Sequence, residues 1–255
     1  MDRSILERAL IPGGEPACVL VAGASGGIGS AFCRAVAGKC PRSTLIRLAR
    51  DTSTLEPLDV ETIDLSYDLE DESLIAEAVS KIPDSLRVEL AFVATGWLHD
   101  QHYSPEKTYK TLDAAHMLRA YQVNAVGPAL LLKQLLPRMP TGKQGRIGVL
   151  SARVGSISDN RTGGWHSYRA SKAALNMIIK NYALELSRKR NGPIIVGLQP
   201  GTTDTRLSAP FQRSVPPGQL QTPAYTADQL LRVMQSLRAG DSGKLFDFLG
   251  LPFDP

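Results

Sequence analysis

The sequence predicts an α/β fold: a doubly wound parallel sheet between two layers of helices, a three-layer α/β/α arrangement. Three observations predict it. Short apolar, β-branched runs alternate with helical stretches along nearly the whole chain, and such alternation with short joins yields parallel strands whose crossover helices cover both faces. The first run, Ala17-Cys18-Val19-Leu20-Val21-Ala22, leads straight into Gly23-Ala24-Ser25-Gly26-Gly27-Ile28-Gly29, after which Ile28, Phe32 and Val36 recur at i, i+4 and i+8, a helix packing face. Finally, 255 residues with 43% hydrophobic and 21% charged side chains fit one large soluble domain with a substantial core.

In chain order, residues 17–22 read as a buried parallel strand, because an apolar β-branched run without alternation is covered on both sides. Residues 43–49 read as a second strand, 60–64 as a short third and 88–94 as another buried one, with a helix at 73–79 between them. Two helical stretches follow at 111–123 and 125–137, broken between Asn124 and Pro128. Then come a strand at 146–151, a long helix at 168–190, a strand at 194–198, a helix at 228–238 and a last strand at 244–248. The Pro/Gly-rich stretch 208–223 is too irregular for an element; it follows a strand's carboxyl end, where open α/β sheets bind ligands, and is a candidate substrate lid. The whole of 1–255 is read as one domain, with 1–16 as an N-terminal extension.

Charge and composition exclude several classes. The net charge is +4 and the pI about 9.0, but residues 51–80 hold ten acidic side chains and no Lys or Arg, which would repel a phosphate backbone. The one dense basic run, Arg188-Lys189-Arg190, falls at a helix end, where cations complement the dipole. No nucleic-acid partner is expected. No apolar run approaches the ~18 residues that span a bilayer, and 1–16 lacks a signal-peptide core, so neither membrane association nor export is expected. Cys18, Cys33 and Cys40 lack CxxC spacing and read as reduced thiols of a cytoplasmic protein. His99 and His102 stand i, i+3 without a zinc-like partner set, so no metal is expected.

Two motifs carry chemistry. Strand, glycine turn and helix form the context of a nucleotide loop: glycine allows the tight turn and close approach of a diphosphate, and free N–H groups at the helix start bind the anion. Gly23, Ser25, Gly26, Gly27, Ile28 and Gly29 are its candidate contacts. The spacing is Gly-x-x-x-Gly-x-Gly, and no Lys-Ser/Thr follows, which excludes a P-loop. The second motif is Tyr168-x-x-x-Lys172. Residues at i and i+4 share a helix face, and a neighbouring cation lowers a phenol's pKa. Bringing a tyrosine from near 10 to neutrality takes roughly 4 kcal/mol, part of which the lysine is expected to supply.

The ordered set of these motifs resembles the short-chain dehydrogenase/reductase family, from Ala17 to about Gly250: the glycine loop, Asn124 in a helix, Ser151 at a strand end, Tyr168-x-x-x-Lys172, then Pro200-Gly201 followed by Thr203 and Thr205. The runs Ser151-Ala152-Arg153-Val154-Gly155-Ser156-Ile157 and Gly163-Gly164-Trp165 are similar to the C-factor-like carbonyl reductases. The resemblance implies a Rossmann-like fold and carbonyl reduction, with Tyr168 as general acid, Lys172 lowering its pKa and bonding a ribose, a serine holding the carbonyl oxygen, and Asn124 orienting a relay water. It also implies a small-molecule carbonyl or alcohol substrate and a homodimer or homotetramer.

Three departures from the family pattern stand out. Ala152 occupies the position three before Gly155 where relatives carry the catalytic serine, leaving Ser151 as first choice and Ser156 as reserve. Ala22 replaces a threonine. Ala94-Thr95-Gly96 replaces Asn-Ala-Gly, with the Thr95 hydroxyl a candidate substitute for the lost tie between strands. These departures keep a second reading open, a nucleotide-binding sensor or signalling protein with little turnover. At the second strand's end Arg50 suits a 2′-phosphate, which favours NADP(H) over NAD although Asp51 is adjacent. Asp68-Leu69 matches the family's adenine contact, with Asp64-Leu65 as an alternative.

Overall fold

The computed structural model describes residues 17–141 and 145–255; the extension assigned to 1–16 lies outside the described residues. Eight strands form one sheet in the order β3-β2-β1-β4-β5-β6-β7-β8. They are β1 (Cys18–Ala22), β2 (Thr44–Ala49), β3 (Thr62–Ser66), β4 (Leu90–Val93), β5 (Arg146–Leu150), β6 (Ile194–Gln199), β7 (Leu245–Asp247) and β8 (Pro252–Phe253). All neighbours pair in parallel except β7 with β8. The expected doubly wound sheet is therefore observed. The terminal antiparallel strand β8 is not foreseen from the sequence: two residues opening on a proline carry no periodicity, and proline is tolerated there because the strand is an edge.

The helices are α1 (Gly27–Lys39), α2 (Glu72–Ser80), α3 (Ala114–Tyr121), α4 (Gly127–Leu135), α5 (His166–Leu186) and α6 (Pro223–Ser236). One core lies where Leu20, Ile46 and Val93 meet Ile75, Leu131, Leu175 and Ile179 from α2, α4 and α5. The other joins Val19, Val21 and Phe92 to Phe32, Val36, Leu230 and Val233 from α1 and α6, with Phe32 stacked on Phe92 at 4.1 Å. Consecutive residues of β1 alternate between these two cores, which is why the strand is apolar throughout and wholly buried.

Chain order runs outward from β1 to β2 and β3, then returns to β4 on its other side. That reversal opens a crevice beyond the carboxyl ends of β1 and β4. The glycine loop, Arg50, Thr95, Ser151 and Pro200 each follow a strand carboxyl end that faces this side.

Several boundaries differ from the sequence reading for local reasons. The helix α6 starts at Pro223, capped by the Thr222 hydroxyl accepting from the Tyr225 N–H, a Thr-Pro start signal that lies inside the stretch read as irregular. Within that stretch Ala209–Ser214 forms a 3₁₀ turn, and Gln221 bridges to Thr203. The break between 124 and 128 is a π turn over Gln122–Val126 joining α3 to α4. Pro128 has no N–H for the carbonyl of Asn124, and a Cβ on Gly127 would lie 2.7 Å from the Leu69 carbonyl. The long helix ends at Leu186, so Arg188-Lys189-Arg190 falls just beyond it. No helix among the described residues is long and apolar enough to cross a membrane.

Candidate active site

The glycine loop is built by backbone approaches that a side chain would block. Gly23 has φ +83°, and a Cβ on Gly29 would lie 2.1 Å from the Gly23 carbonyl oxygen. Both Gly23 and Ala24 donate to the Leu48 carbonyl of β2. No side chain caps α1, which leaves its first-turn N–H groups for an anion. The loop forms one wall of a cavity of about 750 Å³, lined also by Arg50, Tyr67, Asp68, Leu69, Thr95 and Trp97. That volume is within the range of small-molecule sites.

Of the expected cofactor contacts, Gly23, Ser25, Gly26, Arg50, Asp68, Leu69, Ala94, Thr95 and Gly96 line this cavity. Gly27 lies under Thr205, whose Cγ2 is 2.7 Å from where a Gly27 Cβ would stand. Ile28 packs on the α1-side core. Thr203 faces inward: its hydroxyl is bonded to the Pro200 carbonyl and, at 2.9 Å, to the Thr226 hydroxyl. Gly201, at φ +72°, lies beside Gln221. The acidic neighbours of the loop are accounted for. Asp64 is held by both forks of Arg47 at 2.6 Å and does not line the cavity, whereas Asp68 does, together with Glu70 and Asp100. Asp51 accepts from the backbone and hydroxyl of Ser53, and these bonds hold its carboxyl below the usual range. Among the described residues the Arg50 guanidinium makes no hydrogen bond or ion pair.

Thr95 does not provide the strand tie expected of it. Its Oγ1 is buried without a hydrogen-bond partner; the strands are tied instead by the Ala94 N–H donating to the Ala22 carbonyl at 2.8 Å. An unpartnered buried hydroxyl on the wall of a cavity rimmed by glycine is a polar group awaiting a ligand. Together with the uncapped α1 turn and the free Arg50, it fits a phosphorylated dinucleotide.

On α5, Tyr168 and Lys172 share one face as their spacing predicts, the ammonium 5.9 Å from the phenol ring centre. Lys172 is 2% exposed and donates to the Leu150 carbonyl at 2.9 Å. Neither Tyr168 nor Lys172 lines the cavity itself; Gly96 of its wall adjoins the lysine, a Cβ there lying 3.6 Å from Lys172 Nζ and 3.8 Å from Asn124 Oδ1. Asn124 is fully buried. Its Oδ1 accepts from the Trp97 N–H, and its amide donates to the Trp97 carbonyl and the Ser171 hydroxyl. Ser171 in turn donates to the Tyr168 carbonyl.

The electrostatics differ from the sequence expectation. Burial pushes Tyr168 up to about 12 and Lys172 down to about 8. Desolvation disfavours the charged form of each group and sets both directions. At neutral pH the phenol is protonated and the lysine cationic, the forms that a proton donor and its electrostatic partner require.

The serine does not join this group directly. The Ser151 hydroxyl donates to Asn176 Oδ1 at 2.5 Å, and Ser156 accepts from the Asp159 N–H. Ala152, not a serine, follows at the strand end. Above Tyr168 lies an aromatic wall: Trp165 is 6.2 Å from the Tyr168 ring and 4.8 Å from Phe211 of the candidate lid. His99 meets Phe211 and bonds the Leu207 carbonyl, and among the described residues no group of three His, Cys, Asp or Glu is disposed to hold a metal. Trp97, His99, Arg119 and Arg206 also line the cavity. Sequence reasoning missed them as ligand contacts because each projects from a loop or helix with no motif.

Residues 17–215 match the family description "short chain dehydrogenase". The chain belongs to the short-chain dehydrogenase family. It is 32% identical over 139 residues to C-signal of Myxococcus xanthus, covering 54% of this chain and 78% of that protein, in keeping with the C-factor-like resemblance. An uncharacterized oxidoreductase of Saccharomyces cerevisiae is 30% identical over 189 residues, 71% of each chain. Among solved structures, NADPH-bound carbonyl reductase from chicken fatty liver superposes with a TM-score of 0.80 at 21% identity, covering 97% of this chain and 99% of that one. These likenesses agree with the fold and make the chain a member of an oxidoreductase family.

Replacing Gly29 by Ala forces a Cβ into the Gly23 carbonyl, so Gly29→Ala is expected to weaken binding of a nicotinamide dinucleotide at least tenfold and to lower the melting temperature. Fluorescence titration and thermal melting measure the two effects.

Proposed function

We propose that this chain is an NADPH-dependent carbonyl reductase that uses Tyr168 as general acid. The observation that carries the reading is the meeting at Gly96: one side of that residue lines the glycine-loop cavity, and the other adjoins Lys172 Nζ and Asn124. When bound, NADPH supplies a hydride to the carbonyl carbon. The glycine loop and the α1 N-terminus hold its diphosphate, Arg50 its 2′-phosphate, and Asp68-Leu69 its adenine. Thr95 and Gly96 of the cavity wall and Thr205, packed on Gly27, would hold the rest of it, and Lys172 would bond a ribose. Tyr168 gives its phenolic proton to the oxygen, so the carbonyl gains one hydride and one proton and leaves as an alcohol. Lys172 stabilises the phenolate that remains. The Asn124 carbonyl, denied its usual donor by Pro128, accepts from a water that returns a proton through the lysine. A positioned general acid contributes roughly 10²–10⁴ in rate. The Trp165–Phe211 wall favours a carbonyl bearing a flat apolar group.

A second reading, a nucleotide-binding sensor with little turnover, draws support from the commitment of Ser151 to Asn176. To hold a carbonyl oxygen, Ser151 must exchange that bond. The readings separate on steady-state turnover of NADPH with an aldehyde and ketone panel: tight NADPH binding without turnover favours the sensor.

Tyr168→Phe is expected to cut turnover at least 10²-fold while NADPH affinity stays within twofold. Ser151→Ala should cost about tenfold or less, its hydroxyl being engaged elsewhere; a loss as large as that of Tyr168→Phe would restore it as the main oxyanion donor. Carbonyl reduction should hold steady below pH 8 and decline above it, since Lys172 loses its proton near 8 while Tyr168 keeps its own to about 12; a kcat–pH profile tests this. Arg50→Ala should raise the KM for NADPH about tenfold or more and leave that for NADH nearly unchanged, as paired cofactor titrations will read.

A further inference from the structure

The first turn of α5 carries Tyr168 as its third residue, yet the helix has no cap of its own. Trp165, at the N-cap position, is left-handed at φ 50° and offers no side-chain hydrogen bond. Such a turn ordinarily frays, because its leading N–H groups are unpaired. Here one of them, the Ser167 N–H, is claimed by Glu106, a loop residue 61 positions upstream, which also holds the N-cap residue. The Ser167 N–H donates to Glu106 Oε2 at 3.2 Å, and the Ser167 hydroxyl donates to Oε1. The backbone carbonyl of Glu106 accepts from the Trp165 N–H at 2.5 Å. A Cβ on Gly164, itself at φ +66°, would lie 3.3 Å from that carbonyl oxygen, so the loop and the turn are in close backbone contact.

The carboxylate is itself fixed from the far side. His116 of α3 places Nδ1 3.3 Å from Glu106 Oε1, and the imidazole stacks on Tyr103 at 4.9 Å and meets Trp97 edge-on at 5.3 Å. Glu106 is 3% exposed and His116 4%. Burial pushes the Glu106 carboxyl up, but the Ser167 bonds and the nearby imidazole outweigh it and hold it below the ordinary value. A glutamate buried this deeply is uncommon unless it is paired, and an anion at a helix N-terminus is stabilising.

We propose that Glu106 is a positioning residue for the reaction: its carboxylate and carbonyl clamp the turn before Tyr168 and so fix where the phenolic hydroxyl sits over the cofactor cavity. Glu106 does not line the glycine-loop cavity and acts through the turn it holds. Because displacement of about 1 Å in a reacting group can cost 10²-fold, the clamp bears on kcat rather than on nucleotide affinity. The inference rests on the carbonyl-reductase reading for its catalytic consequence but not for its geometric one, and the experiment separates the two.

Full-length parent, Glu106→Gln and Ser167→Ala proteins labelled with ¹³Cζ-tyrosine would be compared by NMR, with Tyr168→Phe assigning the Tyr168 resonance. NADPH affinity and benzaldehyde reduction would be measured on the same samples. In Glu106→Gln the Tyr168 resonance is expected to shift or broaden while that of Tyr182, further along the same helix, stays. The kcat should fall about tenfold or more with NADPH affinity within twofold. Ser167→Ala, which removes one hydroxyl bond and keeps the backbone cap, should move the same readouts less, and it carries the test should Glu106→Gln fail to fold. An unmoved Tyr168 resonance in a folded variant, or an equal loss of NADPH affinity, overturns the proposal. A parent without turnover on any carbonyl removes the reductase reading, and the resonance then decides the clamp by itself.

Discussion

A lysine ammonium removed from water is the constraint on which the site depends. Lys172 is 2% exposed, and among the described residues its ammonium's one hydrogen bond goes to the Leu150 carbonyl at the end of β5. Burying a cation without a full set of partners is costly, and the depressed proton affinity records that cost. The ammonium stands beside Gly96, on the wall of the glycine-loop cavity. The parallel sheet makes this possible: β4 and β5 are neighbours in the sheet, so their exits bring Gly96 and the Leu150 carbonyl together around the Lys172 ammonium.

Around that charge the polar groups form a relay of fixed contacts. Asn124 joins the exit of β4, through Trp97, to Ser171 on α5. The π turn that carries Asn124 follows from Pro128, which cannot donate back, and from the closeness of Gly127 to Leu69. An irregular turn of this kind inside a helix pair is common at functional sites. Ser151, Asn176 and Gly155 form a parallel set one turn further along α5, so that helix is pinned at both ends of its catalytic face.

Much of the site was legible before the fold. The i, i+4 spacing of Tyr168 and Lys172 survives folding because helix geometry is local, and the glycine loop survives because φ > 0 and close backbone approach each exclude a side chain at a known position. Thr203 and Ser151 were less legible. Both lie at strand exits, where one residue of register turns a hydroxyl toward a cavity or toward a neighbouring helix, and the partners that decide it, Thr226 and Asn176, are 23 and 25 residues away. The phenol's acidity was misjudged for a similar reason: sequence spacing reports the neighbouring charge but not the water that burial removes.

By itself the sequence determined the layered sheet, the nucleotide loop and the pairing of phenol with amine, since each rests on periodicity or on backbone conformations that few residue types can adopt. Only the tertiary structure decided which hydroxyls face the cavity, that among the described residues Arg50 is unclaimed while Asp64 is held by Arg47, and that a glutamate from a distant loop bonds the first turn of α5. Those outcomes depend on side chains far apart in the chain meeting where water is absent, and no local pattern encodes such a meeting.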